Sequence, residues 1–208
     1  MLTTYKKRSA AFRLERHRLE MDAGNIVIRE AVVDDVKAIC EIYGHYVRES
    51  VATFEEVVPT LDDMLSRFNS LKADGMPYFV AEQAAVDNSV SPVIVGYCYA
   101  GLYRTRSAYR YTLEDSIYLD PNYRARGVGS MLLRRLIDES TKRGFRQMIA
   151  VIGGSDNLGS IKLHERLGFK HKHILYSVGL KFEKWVDVVT LQLELGEGST
   201  SIPTQNQP

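Results

Sequence analysis

The sequence contains few of the residues that cross-link small extracellular folds: only two of its 208 residues are cysteines, Cys40 and Cys98. Both lie in apolar, periodic stretches, where a cysteine usually acts as a small core side chain. Neither C-x-x-C nor H-E-x-x-H occurs. The sequence therefore predicts neither a disulfide framework nor a zinc site, and we expect no metal cofactor.

Long hydrophobic runs and an excess of charge of one sign are also missing. No apolar stretch approaches the ~20 residues needed to cross a bilayer, so we expect no membrane partner. The formal net charge is only +1, which argues against a general polyanion-binding surface. A nucleic-acid partner is therefore not expected, although the first residues are basic.

The two ends differ in composition from the middle. Residues 1–24 form a basic arm that has no apolar core of a secretory signal. Its arginines leave mitochondrial import open as an alternative to a cytoplasmic location, whereas Glu15, Glu20 and Asp22 argue against import. Residues 196–208 are polar and rich in Gly, Ser and Pro, which predicts a disordered tail. One folded domain over residues 25–195 remains, and 45% hydrophobic residues suffice for its core.

Helix-like and strand-like patterns alternate through this domain. Helical patterns follow Asp34 and Thr60, which we expect to cap the two helices, and they recur over residues 128–142 and 157–168. Gly144 should stop the helix over residues 128–142. Strand-like runs occupy residues 25–31, 78–83, 93–102, 114–119, 147–152, 172–178 and 186–194. The alternation predicts an α/β fold, with a mixed twisted sheet of about seven strands and helices on both faces.

A basic, glycine-containing turn, "NYRARGVGSMLL" at residues 122–133, leads into one of these helices. The first turn of a helix leaves N–H groups unpaired at the positive end of its dipole. Gly127 and Gly129 would let a bulky anion approach the backbone, and Arg124 and Arg126 add charge. A pyrophosphate would fit such a turn.

Two familiar phosphate-binding motifs are absent from this turn. It is not a G-x-x-x-x-G-K-[ST] loop, and no G-x-G-x-x-G with a following ribose-binding acid is found. By itself the turn fits an ordinary arginine-bearing helix start equally well.

The surrounding residues distinguish these interpretations. "RARGVG" resembles the [QR]-x-x-G-x-[GA] pyrophosphate loop of the GNAT acetyltransferases. The order of strand, loop, helix and strand is also similar. The pieces "EIYGHYV", "AYRYTLEDSIYL", "AVIGGSDNLGSIKLHERLGF" and "GLKFEKWVDVV" resemble the branch of phosphinothricin and methionine-sulfoximine N-acetyltransferases. The resemblance spans about 170 residues, from Ile26 to about Leu195.

This resemblance implies a GNAT domain at residues 25–195 that uses acetyl-CoA as co-substrate. Two neighbouring parallel strands should splay apart around the pantetheine arm, at Ile117 to Leu119 and at Met148 to Ile152. Backbone groups of Ile117, Tyr118 and Leu119 would then pair with the pantetheine amides, and the N–H of Leu119 would stabilise the oxyanion. The pyrophosphate would be held by N–H groups of Ala125, Arg126, Gly127, Val128, Gly129 and Ser130.

The resemblance also implies roles for individual side chains. Glu114 would be the general base that deprotonates the amine, directly or through water. His164 would protonate the departing thiolate. Asn157 precedes His164 by seven residues, about two helical turns, so both can face the cofactor. From the residues alone, Glu114 fits a solvated acid and His164 a structural histidine.

The implied acceptor pocket consists of Phe54, Arg106, Tyr109 and Tyr111, together with Glu114. A guanidinium such as that of Arg106 can bind two oxygens of a carboxylate or phosphinate. The implied activity is acetylation of the α-amino group of phosphinothricin, methionine sulfoximine, methionine sulfone or another small amino acid. Transfer would be direct, in a ternary complex, and the branch suggests a homodimer.

Three alternatives stay open. The acceptor could be another amine, such as a polyamine or a protein N-terminus, although a polyamine would favour a more acidic pocket than Arg106 suggests. A CoA-binding sensor without catalysis is a second alternative, against which Glu114 and His164 argue. Nucleic-acid binding through residues 6–18 is the third, and the balanced charge of the chain disfavours it.

Overall fold

The computed structural model describes residues 25–84 and 92–203. The basic arm predicted at residues 1–24 lies outside this range, as do residues 85–91 of the predicted hairpin loop and residues 204–208 of the predicted tail. Residues 196–199 form a turn, in which the Gly198 N–H donates to the Leu195 carbonyl. The described chain therefore continues past the predicted domain boundary at Leu195.

Seven strands and four α-helices make up the domain. The strands are β1 (Ile26–Glu30), β2 (Tyr78–Gln83), β3 (Val93–Leu102), β4 (Thr112–Leu119), β5 (Gln147–Gly153), β6 (Lys170–Lys181) and β7 (Lys184–Glu194). The helices are α1 (Val36–Glu49), α2 (Leu61–Ala73), α3 (Val128–Lys142) and α4 (Leu158–Arg166). Short 3-10 helices occur at Val33–Asp35, Ser107–Tyr109 and Pro121–Tyr123.

All seven strands form one sheet with the order β1-β2-β3-β4-β5-β7-β6. Every neighbouring pair is antiparallel except β4 and β5, which run parallel. A parallel pair needs a crossover, and α3 supplies it between β4 and β5. The predicted mixed sheet of about seven strands is confirmed.

Helices cover both faces of this sheet. One core cluster joins α1 and α2 to β2 and β3 through Ile39, Val47, Phe68, Val80 and Tyr97. The second cluster packs α3 and α4 on the other face, with Leu132, Leu136 and Ile161 against β3, β4 and β5. Since side chains alternate across a strand, β4 contributes to both clusters.

Helix ends follow their local sequence in two of three predicted cases. Thr60 caps α2, because its side chain accepts a hydrogen bond from the Asp63 N–H. Gly144 adopts a φ of 88° just after α3, a conformation that glycine tolerates well. The predicted cap at Asp34 is wrong: α1 begins one residue later, since Asp34 and Asp35 belong to a preceding 3-10 helix.

The parallel pair β4–β5 is hydrogen-bonded over only part of its length. The register runs from Thr112 opposite Gln147 to Asp115 opposite Ala150, and no pairing is recorded among the described residues beyond that point. Residues 116–119 therefore separate from residues 151–153 and leave a gap in the sheet. This confirms the predicted splay, except that residues 148–150 are still paired with β4.

Candidate active site

The backbone of β4 presents alternate residues to the gap. The Asp120 N–H donates to the Val95 carbonyl, and the Thr112 carbonyl accepts from the Tyr103 N–H, so even-numbered residues face β3. Ile117 and Leu119 consequently turn their N–H and C=O groups toward the gap. Tyr118 lies opposite Tyr97 in the β3–β4 ladder. The prediction that Tyr118 offers backbone groups to the pantetheine is therefore wrong, because those groups face β3.

One side chain already occupies the backbone groups of Leu119. The Tyr46 hydroxyl from α1 donates to the Leu119 carbonyl at 2.7 Å and accepts from the Leu119 N–H at 3.1 Å. The predicted oxyanion donor is thus engaged by Tyr46 in this structure. The ring of Tyr46 also lies beneath the Arg124 guanidinium, 5.2 Å from the ring centroid.

A cleft of about 1060 Å³ opens around the gap. Its size suits a ligand larger than a typical metabolite. Ten of the predicted site residues line it: Glu114, Ile117, Tyr118, Leu119, Ala125, Gly127, Gly129, Ser130, Asn157 and His164. Two predicted loop residues do not, since Val128 is buried and the Arg126 guanidinium lies over the Tyr123 ring.

The loop before α3 has the geometry of an anion-binding turn. Ala125 and Gly127 both adopt positive φ, at 60° and 84°, and α3 begins at Val128. Alternation of left-handed residues before a helix turns successive N–H groups toward one side. Apart from its two chain neighbours, no described residue has an atom within 4 Å of the position of a Cβ on Gly127. The Ser130 N–H already donates to the Gly127 carbonyl at 3.0 Å. The N–H groups of Val128 and Gly129 come before the first acceptor of the helix, so the turn can hold a phosphate group.

Glu114 lies on the α1 face of β4, at the edge of the cleft. Burial, and next to it the charge of Asp115, raises the pKa of Glu114 above its ordinary value, while the charge of Arg104 lowers it. A carboxyl whose pKa moves toward neutrality is a better-matched general base than an exposed one. The arrangement fits the predicted role.

His164 lies on the opposite face, buried in α4. Its Nδ1 is 2.8 Å from the Ser160 carbonyl oxygen and its Nε2 is 2.9 Å from Asp115 Oδ2. Glu114 and Asp115 are neighbours in β4 and so point to opposite faces of the sheet. The gap therefore has a carboxyl on one side and a histidine–aspartate pair on the other.

Asn157 lies at the N-terminus of α4 and lines the same cleft as His164, as their spacing predicts. Its Oδ1 accepts from the Ser160 N–H at 3.3 Å, and its Nδ2 donates to the Gly153 carbonyl at 3.4 Å. The side chain thus joins the start of α4 to the end of β5, which keeps the helix beside the gap.

The four residues predicted for the acceptor pocket beyond Glu114 do not line the cleft in a single chain. Arg106 is exposed, just before the 3-10 helix Ser107–Tyr109. Tyr109 packs edge-on against Tyr103 at 5.8 Å, and Tyr111 lies under the Arg110 guanidinium at 4.7 Å.

Phe54 is the fourth of these residues and lies close to the cleft wall. Its ring approaches Gly153 and Gly179 so closely that a Cβ on either glycine would lie within 3.1 Å of it. Because glycine has no side chain, Gly153 and Gly179 leave room for the Phe54 ring.

The loop before Phe54 is held by a buried lysine that the sequence analysis did not identify. Lys181 in β6 is 2% exposed, and its Nζ donates to the carbonyls of Ser50 and Thr53, both at 2.8 Å. Residues 50–53 line the cleft. Lys181 therefore anchors one wall of the cleft to the β6–β7 hairpin.

Tyr46 and Asp115 also line the cleft and were also missed. Asp115 had a usable signal, because strand alternation puts it on the face opposite Glu114, where α4 packs. Tyr46 and Lys181 had none, since their partners are backbone groups 73 and at least 128 residues away.

Two further observations concern other kinds of site. In residues 25–84 and 92–203, no group of three or more His, Cys, Asp or Glu side chains could hold a metal ion. Over the same part of the chain, no helix has the length and apolar character needed to cross a membrane.

Comparison with known proteins agrees with this geometry. The sequence model described as "Acetyltransferase (GNAT) family" matches residues 38–169. A phosphinothricin N-acetyltransferase of Alcaligenes faecalis is 44% identical over 170 residues, covering 82% of this chain and 83% of that protein. An L-methionine sulfoximine/L-methionine sulfone acetyltransferase of Salmonella typhimurium is 36% identical, covering 83% of this chain and 96% of that protein.

Solved structures agree as well. The crystal structure of a phosphinothricin acetyltransferase from Sinorhizobium meliloti in complex with acetyl-CoA superposes with a TM-score of 0.81 at 41% identity. The alignment covers 88% of this chain and 95% of that one. With the matched sequence spanning both sides of the gap and the loop before α3, the chain belongs to the GNAT family of acetyltransferases.

Proposed function

We propose that the protein transfers the acetyl group of acetyl-CoA to the α-amino group of a small amino acid or analogue. Phosphinothricin, methionine sulfoximine and methionine sulfone are the proposed acceptors, following the relatives that carry those names. The observation that carries the proposal is the gap between β4 and β5, with Glu114 on one face and the anion-binding turn at its end. Both substrates meet there, so transfer is direct.

The cofactor's pyrophosphate is proposed to bind at Ala125 to Ser130, where Val128 and Gly129 contribute N–H groups from the first turn of α3. Its pantetheine arm lies in the gap and pairs with the backbone of Ile117 and Leu119. Asn157 keeps α4 alongside. Acetyl-CoA supplies the thioester, and the protein's part is to hold it and to place the amine.

The proton steps are proposed to occur on opposite faces of the sheet. Glu114 takes the proton of the amine, directly or through water, because an ammonium group has no lone pair to attack with. The Leu119 N–H faces the gap and would stabilise the oxyanion once the thioester carbonyl replaces the Tyr46 hydroxyl. His164 is the proposed donor of a proton to the departing sulfur.

The acceptor is proposed to lie on the α1 face, near Phe54 and the loop of Arg106, Tyr109 and Tyr111. Arg104 belongs to the same loop, and its charge acts on Glu114. We therefore propose that this loop binds the acceptor carboxylate, through Arg106 with Arg104 as the alternative. Arg104→Ala and Arg106→Ala distinguish the two when KM and kcat are measured for methionine sulfone. Replacing the arginine that binds the carboxylate should raise KM more than it lowers kcat.

We propose that the protein is a homodimer, formed through the β6–β7 hairpin. Large apolar side chains are exposed along it, including Tyr176 at 73% and Trp185 at 68%. Contiguous exposed apolar surface commonly marks an interface. Sedimentation of the wild type and of Trp185→Glu tests this, and a wild-type monomer at micromolar concentration contradicts it.

The division into a basic arm, a catalytic domain and a polar tail is proposed on composition. A cytoplasmic location is proposed because Cys40 and Cys98 are both free thiols. Imaging of the full chain with and without residues 1–24 tests this location against mitochondrial import.

The decisive experiment measures thiol release from acetyl-CoA with a panel of amines. Methionine sulfone, methionine sulfoximine and phosphinothricin should be acetylated in preference to spermidine and to an N-terminal peptide. A preference for spermidine or the peptide would reassign the acceptor. Acetyl-CoA binding without thiol release for any amine would indicate a CoA-binding sensor.

A further inference from the structure

The hydrogen bonds of His164 determine where its protons are. A carbonyl oxygen can only accept, so the Nδ1 that lies 2.8 Å from the Ser160 oxygen carries a proton. The Nε2 then faces a carboxylate oxygen, Asp115 Oδ2, at 2.9 Å. One further proton must lie between these two atoms, because two acceptors at that distance would repel each other. The pair is therefore net neutral and holds a proton that can be given up.

The pair is almost completely removed from water. Both side chains are 2% exposed, and the ring of Phe169 packs edge-on against His164 at 5.0 Å. Asp115 Oδ1 is also buried and has no hydrogen-bond partner among the described residues. A buried ion pair contributes little to stability compared with apolar side chains of similar size, so packing alone does not account for this pair.

The position of the pair links it to the gap. Asp115 is opposite Ala150 in the last recorded β4–β5 pairing, so the pair lies where the strands begin to separate. Both residues line the cleft. Glu114 precedes Asp115 but faces the other side of the sheet.

We propose that Asp115 is a positioning residue for acetyl transfer, which holds His164 as the doubly protonated imidazolium at the point where the gap opens. The inference deepens the proposed function and rests on it. When the amine nitrogen bonds to the acetyl carbon, the C–S bond breaks and sulfur leaves with the electron pair. Glu114 takes the proton of the amine. The pair gives one proton to sulfur, which leaves neutral His164 and the Asp115 carboxylate, and solvent later restores the proton.

The titratable surroundings of the ring support this assignment. Burial lowers the pKa of His164, but the charge and hydrogen bond of Asp115 and the Ser160 carbonyl outweigh it, so the pKa is raised above its ordinary value. From β3, Cys98 faces the same side, and burial first and the charge of Asp115 second raise its thiol pKa. The neighbouring core side chains of α3 and β5 are apolar, including Leu132, Ala150 and Ile152. A raised pKa keeps the ring charged until the pH passes it, so the ring can carry the proton that the departing thiolate requires.

Nitrogen-15 NMR of the histidine rings in the full-length protein tests the protonation state without any acceptor. His164 is assigned from its absence in His164→Gln. In the wild type we expect both His164 nitrogens to be protonated at pH 7, and in Asp115→Asn we expect only Nδ1 to be. A neutral His164 ring at pH 7 in the wild type overturns the proposal, whether or not any variant folds.

Thiol-release kinetics with the best acceptor of the panel test the consequence. Asp115→Asn should lower kcat at least about tenfold at pH 7, with acetyl-CoA affinity within about twofold, and the high-pH limb of kcat should move down by about one unit or more. The exposed Asp138→Asn on α3 serves as the matched control.

A double variant tests whether Asp115 acts through His164 or contributes to the reaction independently of it. Asp115→Asn combined with His164→Gln should be no slower than His164→Gln alone, since residues acting as a unit are not additive. Losses that multiply overturn the proposal. If the wild type acetylates no amine, the proposed function fails, and the NMR result still decides the protonation state of the pair.

Discussion

The Tyr46 hydroxyl holds both backbone groups of Leu119, donating to its carbonyl at 2.7 Å and accepting from its N–H at 3.1 Å. These are backbone groups that β4 turns toward the gap. A ligand that pairs with Leu119 must therefore compete with a residue of α1, and this competition is measurable.

Replacing Tyr46 by phenylalanine removes the competing hydroxyl and keeps the ring against Tyr118. We expect the affinity for acetyl-CoA, measured by calorimetry, to rise about fivefold, because one net hydrogen bond is worth about 1 kcal/mol. Tyr103→Phe is a suitable control, since that hydroxyl bonds only to Arg104 among the described residues. Unchanged or weaker binding by Tyr46→Phe would mean that the cofactor leaves this contact intact.

Gly129→Asp tests the anion-binding turn. A Cβ at Gly129 would lie 3.2 Å from Leu163 Cδ2, so steric and charge effects must be separated. Gly129→Ala supplies that control. We expect acetyl-CoA affinity to fall at least about tenfold more in the aspartate variant than in the alanine variant, about 1.4 kcal/mol. Equal affinities would remove Gly129 from the pyrophosphate site.

Glu114→Gln should reduce kcat at least about a hundredfold near pH 7, since general-base assistance is typically ~10²–10⁴-fold. Acetyl-CoA should still bind. The difference in kcat between the variant and the wild type should become smaller as pH rises, because more of the amine then loses its proton in solution. A variant that retains most of its kcat at pH 7 would show that another group removes the proton.

The same substitution should not destabilise the fold at neutral pH. Burial raises the pKa of Glu114, so its charged form is the less favourable one in the folded state. Stability is then highest below the unfolded pKa and is lost as pH rises through the folded pKa. Glu114→Gln should therefore be at least as stable as the wild type at pH 7, by urea unfolding, and lose that advantage below about pH 4. Lower stability of the variant at pH 7 would mean that Glu114 stabilises the fold.

Lys181→Met should destabilise the domain, because the carbonyls of Ser50 and Thr53 lose a buried charged donor. We expect a loss of at least about 2 kcal/mol in urea unfolding. The exposed Lys184→Met in the same hairpin should change stability by less than about 0.5 kcal/mol. Equal effects of the two variants would show that the buried bonds of Lys181 contribute nothing specific.

Much of the architecture follows from local patterns in the chain. Apolar spacing predicted all four helices, and β-rich runs predicted all seven strands, with errors of a few residues at their ends. The start of α2 at Thr60 and the stop of α3 at Gly144 follow from capping chemistry that operates within a few residues. The glycine-containing turn before α3 was also predicted, because its glycines and the helix start are adjacent in sequence.

The separation of β4 from β5 was predicted only through the resemblance to a family. The contacts that Tyr46 makes with Leu119 and that His164 makes with Asp115 beside this gap were not predicted. Which backbone groups of β4 are free depends on the β3–β4 register, and that register excludes Tyr118 while presenting Ile117 and Leu119. The hydrophobic pattern of a strand determines which face is buried, but it does not name the partner residue of each position in the neighbouring strand.

What the sequence alone determined is the order and type of the elements, the glycine-containing turn before α3 and the individual residue types at Glu114 and His164. Only the tertiary structure decided that His164 faces Asp115, that Tyr46 holds Leu119 and that Lys181 supports the wall of the cleft. The physical reason is the distance along the chain over which each kind of interaction acts. Capping and periodicity act over one or two turns, whereas these three contacts join residues at least 49 positions apart and exist only once the sheet and its helices have packed.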